Sequence, residues 1–136
     1  MKIYLAASFT RLKEIQAYTW PLITAGHEIV SAWLGQDPDA EDAAWENDPI
    51  RRVTAATADL AGVRRAHVVI IFTEPPDAIT SHGGAMVEFG YALALQKKII
   101  VVGPPQNCFI DYCLRGNVPH FSEWKTAAIT AALKRM

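Results

Sequence analysis

HVVIIF, residues 67–72, decides the fold. Every residue after His67 is apolar, and Val68, Val69, Ile70 and Ile71 are β-branched. A strand with one wet face would alternate apolar and polar side chains. This one does not, so it reads as a central parallel strand buried on both faces. Working upstream, residues 49–65 read as a helix, with Asp48 as its cap and Pro49 in its first turn. Working downstream, 73–84 is a loop, 84–96 a buried helix that is apolar almost all round, and KIIVVG (98–103) another buried strand. KIYLAA (2–7) is a first strand. Residues 11–25 place Leu12, Ile15, Tyr18, Leu22 and Ile23 at helical spacing, with Pro21 implying a kink or an early stop and Gly26 a C-terminal cap. HEIVSAW (27–33) reads as a second strand, 34–48 as an acidic, turn-rich loop edged by Trp33 and Trp45, 109–114 as a short helix, 118–121 as a brief strand and 123–134 as a final helix.

Strands alternating with helices give an α/β fold with a mostly parallel five-stranded sheet, its helices placed on both faces by right-handed crossovers. With no internal repeat or linker, residues 1–136 are expected to form a single domain. Ligands of such sheets bind beyond the carboxyl ends of the strands. That edge collects Ala6–Ser8, the loop after Trp33, Thr73–Gly84 and the segment after Gly103.

Composition narrows the function. Of 136 residues, 51% are hydrophobic and 20% charged, the balance of a soluble globular domain. A net charge of -1 gives no electrostatic footprint for a nucleic acid polymer or an anionic membrane. No run of 18 apolar residues could span a bilayer. MKIYLAAS turns polar at Thr10–Arg11 too soon for a signal peptide. Cys108 and Cys113 are too few for a disulfide scaffold and read as two semi-buried thiols, so the expected location is the reducing cytoplasm.

The segment TSHGGAMVEFGYALAL (80–95) poses the chemical question, because Glu88 is the single charge in it. Two readings fit. A glutamate is favoured near a helix N-terminus whatever its function. An ionised carboxylate at the mouth of an α/β site is also a nucleophile or general base. Asp59, among the alanines of TAATADLAG, is either paired and used or turned to solvent. Tyr4 either packs in the core or reaches a carboxylate from the first strand. Trp33 and Trp45 either anchor their loop or close over a flat ligand. Ser81, His82, Gly83 and Gly84 make a flexible turn or a site for a hydroxyl or an anion. That stretch matches neither dinucleotide nor P-loop spacing. Ser8 lacks the elbow of a hydrolase serine. His27, His67, His82 and His120 show no metal-ligand spacing, so no metal is expected.

Taken in order, the strand-one tyrosine, the Asp-Leu-x-Gly before the central strand, and Glu-Phe-Gly-Tyr-Ala followed by Lys and a strand resemble the nucleoside 2-deoxyribosyltransferase family. Its relatives include the 2′-deoxynucleoside 5′-phosphate N-hydrolases. The resemblance runs from KIYLAASF to about Gly116. It implies a flavodoxin-like three-layer sandwich and a deoxyribosyl transfer between nucleobases with retention, without metal or organic cofactor. It implies that Glu88 attacks C1′, that Asp59 binds the base region and assists its departure, and that Tyr4 holds the nucleophile. Ser8, Trp33, Ser81, His82, Gly83, Gly84 and Asp111 are then the expected substrate-binding residues.

The implied partners are a small deoxynucleoside and a nucleobase. The implied assembly is a homodimer or homohexamer in which Asp111 completes a neighbour's site. Two positions depart from the family pattern. Six before the nucleophile, nucleoside-using relatives have an acid and the phosphate hydrolases a serine, whereas His82 stands here. Five before the Gly of DYCLRG they have Asn or Ser respectively, whereas Asp111 stands here. A carboxylate at about 4 Å from a phosphate charge costs on the order of 4 kcal/mol at an effective dielectric near 20. The expected substrate is therefore the free nucleoside, while Ser81 and the Gly83–Gly84 amides suit a 5′-phosphate.

Overall fold

The computed structural model describes residues 1–39, 48–78 and 83–136. Trp45, Ser81 and His82, named above, lie outside the described residues. Five strands, β1 (Lys2–Ala6), β2 (Glu28–Ile29), β3 (Val68–Phe72), β4 (Lys98–Val102) and β5 (His120–Phe121), form one sheet in the order β2-β1-β3-β4-β5. Every pairing is parallel. Between and after them run α1 (Leu12–Thr24), α2 (Pro49–Arg65), α3 (Gly84–Ala94), α4 (Cys108–Leu114) and α5 (Thr126–Arg135). This is the flavodoxin-like α/β architecture. α1 packs with α5, and α2 with α3, one pair on each side of the sheet.

β3 lies in the middle, with Tyr4 opposite Val69 on one side and Ile99 opposite Val69 on the other. Each of its five residues is buried. The continuous apolar run of this segment follows from that position, since neither face meets water.

The helix starts follow local chemistry. Asp48 Oδ1 accepts from the backbone N–H groups of Ile50 (2.9 Å) and Arg51 (3.4 Å), so α2 begins at Pro49 as its sequence implies. Asn107 Oδ1 does the same for Phe109 and Ile110, starting α4 at Cys108. α1 continues through Pro21 to Thr24 without the early stop. Gly26, at φ +84°, takes the left-handed position just past its end.

The second strand is a correction. The expected 27–33 strand pairs only over Glu28–Ile29, and Ala32–Gly35 form a 3-10 turn. Side chains take over the ladder there. The Leu5 N–H donates to Ser31 Oγ at 2.6 Å, and the Leu5 carbonyl accepts from Trp33 Nε1 at 2.8 Å. Both main-chain groups of Leu5 are thus satisfied without a third strand pair.

Two further expectations are corrected. α3 is buried on one side only: Phe89 and Ala92 are enclosed, while Val87 is 63% exposed. As an outer-layer helix it packs on one side, against the sheet and α2. Of the two thiols, Cys113 is buried and Cys108 exposed. No helix among the described residues is long and apolar enough to cross a membrane.

Candidate active site

At the carboxyl edge of β1 and β3 the structure holds a cavity of about 740 Å³, the size of a small-molecule site. Its walls come from the turn after β1, the α2 face, the end of β3 and the start of α3. Ser8, Trp33, Asp59, Gly83, Gly84 and Glu88 all line it. Tyr4 is wholly buried in β1, close to both carboxyl groups. Asp111 is exposed on α4 and is not among the lining residues.

Local chain geometry delivers each group. Gly83 sits at φ +75°, where a side chain would be strained, and so turns the chain into α3. Glu88 follows one helical turn after Gly84. On α2, Ala55, Ala56, Asp59 and Leu60 face the cavity, so the small residues around Asp59 make room as well as pack. Gly62, three residues after Asp59, makes the tightest approach. A Cβ there would lie 2.4 Å from the Val30 carbonyl oxygen and 2.9 Å from Tyr4 Cε2. The lower ends of the helices are tied together: Lys97 Nζ donates to the Arg64 and Ala66 carbonyls at 2.6 and 2.8 Å, and Arg64 Nη2 to the Tyr91 hydroxyl at 2.9 Å. This fixes α2 against α3, and with them Asp59 relative to Glu88.

The electrostatics are those of charge held away from water. Burial raises the Glu88 carboxyl to about 8, with the Tyr4 hydroxyl acting against the shift and the Asp59 charge adding to it. Burial also raises Asp59, opposed by the Trp33 backbone N–H, which donates to Asp59 Oδ1 at 3.2 Å, and by Tyr4. Burial, then the charges of Glu88 and Asp59, drive Tyr4 far above the usual phenol range. Tyr4 is therefore a neutral O–H donor facing two acids. Among the described residues, neither Tyr4 Oη nor Glu88 Oε2 has a hydrogen-bond partner of ordinary geometry, although both are shielded from solvent. The Tyr4 hydroxyl nonetheless lies near enough to bear on the Glu88 carboxyl, and a lone pair of Glu88 is left uncommitted. Such unpaired buried atoms cluster where chemistry is done.

Other lining groups went unread in the sequence. Phe9 and Trp33 stand as a tilted aromatic pair, ring centroids 6.4 Å apart. Glu74 stands two residues past the central strand and its N–H donates to Gln106 Oε1 at 3.2 Å, while its carboxylate pairs with Arg11 Nη1 at 3.0 Å. The rule that ligands bind beyond strand ends points to Glu74 and Gln106, since both lie in the segments that follow β3 and β4. Gln36 and Arg52 also line the cavity. Arg52 stands seven residues before Asp59, on the same face of α2 as Ala55, Ala56 and Asp59, so helical spacing from Asp59 points to it. Among the described residues no group of three or more His, Cys, Asp or Glu side chains could hold a metal ion.

The family described as nucleoside 2-deoxyribosyltransferase matches residues 3–113, and the chain belongs to that family. A 2-deoxyribosyltransferase of the psychrotolerant bacterium Bacillus psychrosaccharolyticus superposes with a TM-score of 0.67 at 22% identity, covering 96% of this chain and 90% of that one. The CMP N-glycosidase of Clostridium botulinum superposes with a TM-score of 0.58 at 20% identity, covering 100% of both chains. No curated protein sequence matches the chain. At these identities the two structures establish the shared fold.

Proposed function

We propose that this chain is a nucleoside 2-deoxyribosyltransferase, moving 2-deoxyribose from one nucleobase to another through a covalent glycosyl–Glu88 intermediate with retention. The observation that carries the reading is one cavity with Glu88 and Asp59 on its wall and the Tyr4 hydroxyl beneath both. This is the two-carboxylate arrangement of retaining glycoside chemistry.

In the first half-reaction a Glu88 oxygen bonds to C1′ as the C1′–N bond breaks. The departing base takes the proton held by Asp59. In the second, an incoming base attacks C1′, returns its proton to Asp59 and releases Glu88. The reaction needs one carboxylate ionised and the other protonated. Burial of both groups favours keeping a proton on the pair. The Tyr4 O–H, which opposes the upward shift of Glu88, favours the charged form of the nucleophile. Apolar walls from Phe9, Ala55, Leu60 and Phe72 exclude water and strengthen these interactions. Ser8 and the Gly83–Gly84 turn contact the substrate, with Ser81 and His82 next in sequence. The whole chain acts as one domain.

Asp111 is exposed together with Phe109 and Tyr112, which are 63% and 72% exposed. In our reading this exposed part of α4 meets a second copy, and Asp111 reaches the 5′ end of the sugar in its neighbour's cavity.

The test is incubation with 2′-deoxyuridine and adenine. Formation of 2′-deoxyadenosine is the expected result; binding without turnover would make the chain a nucleotide-sensing domain and overturn the reading. The second reading is hydrolysis of a 2′-deoxynucleoside 5′-monophosphate, and Arg52 favours it by placing a guanidinium on the cavity wall. Free deoxyribose 5-phosphate as the sole product, faster from the monophosphate than from the nucleoside, would decide for it.

A further inference from the structure

Trp33 was expected to meet the ligand, yet its contacts run the other way. It is only 7% exposed. Its backbone N–H donates to Asp59 Oδ1 at 3.2 Å, and its indole Nε1–H donates to the Leu5 carbonyl at 2.8 Å. One residue thus links β1 to the carboxylate on α2. The backbone that carries this N–H is held on three sides. Ser31, two residues earlier, is tied to the Leu5 N–H at 2.6 Å. Gln16 Nε2 donates to the Leu34 and Gln36 carbonyls at 2.9 and 2.8 Å. The Phe9 ring leans on the indole with centroids 6.4 Å apart. Tyr4, whose hydroxyl lies near Asp59, is the residue before Leu5 on β1. The same short piece of strand therefore positions both of Asp59's partners.

We propose that Trp33 is a positioning residue for the departing base: it clamps Oδ1 of Asp59 to β1 so that the other carboxyl oxygen faces the cavity. A neutral acid that must deliver a proton gains from having one oxygen fixed, because rotation of the carboxyl group would carry its proton away from the base. Although Trp33 lines the cavity, its indole N–H is engaged with the Leu5 carbonyl, and the residue acts on Asp59 through main-chain geometry. The proposal rests on the N-glycosidic reading above, and its test carries a readout that does not.

Trp33→Phe keeps an aromatic ring against Phe9 and removes the N–H to Leu5. The expected result is a fall in kcat of roughly tenfold with KM nearly unchanged. In an Asp59→Asn background the same change has no further effect, because Trp33 acts only through Asp59. Carboxyl carbon NMR on aspartate-labelled protein follows Asp59 directly: loosening the Trp33 N–H contact raises its titration midpoint in Trp33→Phe relative to the wild type. Ser31→Ala, which releases the same segment without touching the indole, shifts Asp59 in the same direction. A rise in KM with kcat preserved would make Trp33 a ligand-stacking residue and overturn the proposal. So would an unmoved Asp59 titration in both variants, or equal losses in the presence and absence of the Asp59 carboxylate. If the wild type turns over no substrate while Asp59 still shifts, the functional reading fails and the clamp stands.

Discussion

Gly62 and the ring of Tyr4 are in closer contact than any side chain would allow: a Cβ on Gly62 would stand 2.9 Å from Tyr4 Cε2 and 2.4 Å from the Val30 carbonyl. The second of those atoms is backbone and cannot swing aside. The absent side chain therefore sets the distance between α2 and β1, and Asp59 rides on α2 one turn away.

Gly62→Ala is expected to push α2 outward and lower stability by about 2–3 kcal/mol, the cost of overpacking a close helix contact, despite the better helix propensity of alanine. Because Asp59 moves with the helix, activity measured well below the melting temperature should fall by more than tenfold. Thermal melts and initial rates check both parts. A variant as stable and active as the wild type would mean that the approach of α2 to Tyr4 is not what places the acid.

Glu88→Ala should abolish transfer, with a loss on the order of 10³-fold or more in kcat. Intact-mass measurement on wild type quenched during turnover should find the added mass of one deoxyribosyl group, and peptide mapping should place it on Glu88. An unlabelled wild type that nevertheless exchanges bases would point to direct displacement.

The raised Glu88 carboxyl also makes a stability claim. Its folded value, about 8, exceeds the ordinary 4.5, so between those limits the native state holds a proton that the unfolded chain releases. Stability from this group is therefore intact below pH 4.5 and is lost as pH rises to about 8. Asp59, also raised, adds a loss of the same sign. Glu88→Gln removes the Glu88 part. The variant should melt above the wild type at pH 8.5 and near it at pH 4.5, the gap reaching roughly 2 kcal/mol or more. A gap that is constant with pH would mean that Glu88 is not titrating in the folded state.

How much of this was legible in the sequence follows from which forces act locally. HVVIIF fixed the sheet because burial on both faces leaves a mark in every residue. Asp48 and Pro49 marked the start of α2 because capping is a property of three or four consecutive positions. Glu88, Asp59 and Tyr4 were singled out because charge or hydroxyl among apolar neighbours needs a partner, and the cavity brings the two acids together above the tyrosine. The short β2 was misread because Ser31 and Trp33 are β-compatible residues whose side chains replace the ladder, which only the position of Leu5 reveals. Trp33's clamp on Asp59 and the contribution of Glu74 to the wall depend on which elements become neighbours, and no spacing along the chain encodes that.

Tyr4→Phe separates the hydroxyl from the ring. The ring fills the space under Gly62 and remains; only an oxygen without a hydrogen-bond partner of ordinary geometry is removed. Stability should change by less than about 1 kcal/mol, since removing a buried unsatisfied group offsets the lost electrostatic contact. Chemistry should suffer more. Tyr4 is the group that opposes the upward shift of Glu88, so without it the nucleophile holds its proton to still higher pH. At pH 7 kcat should fall roughly tenfold to a hundredfold, with KM little affected, and part of the loss should be recovered as pH is raised. Rates across pH 6–9 for wild type and variant, compared with melting curves for both, make the check. A variant whose loss is the same at every pH would show that the hydroxyl acts on the substrate and not through the carboxylate above it.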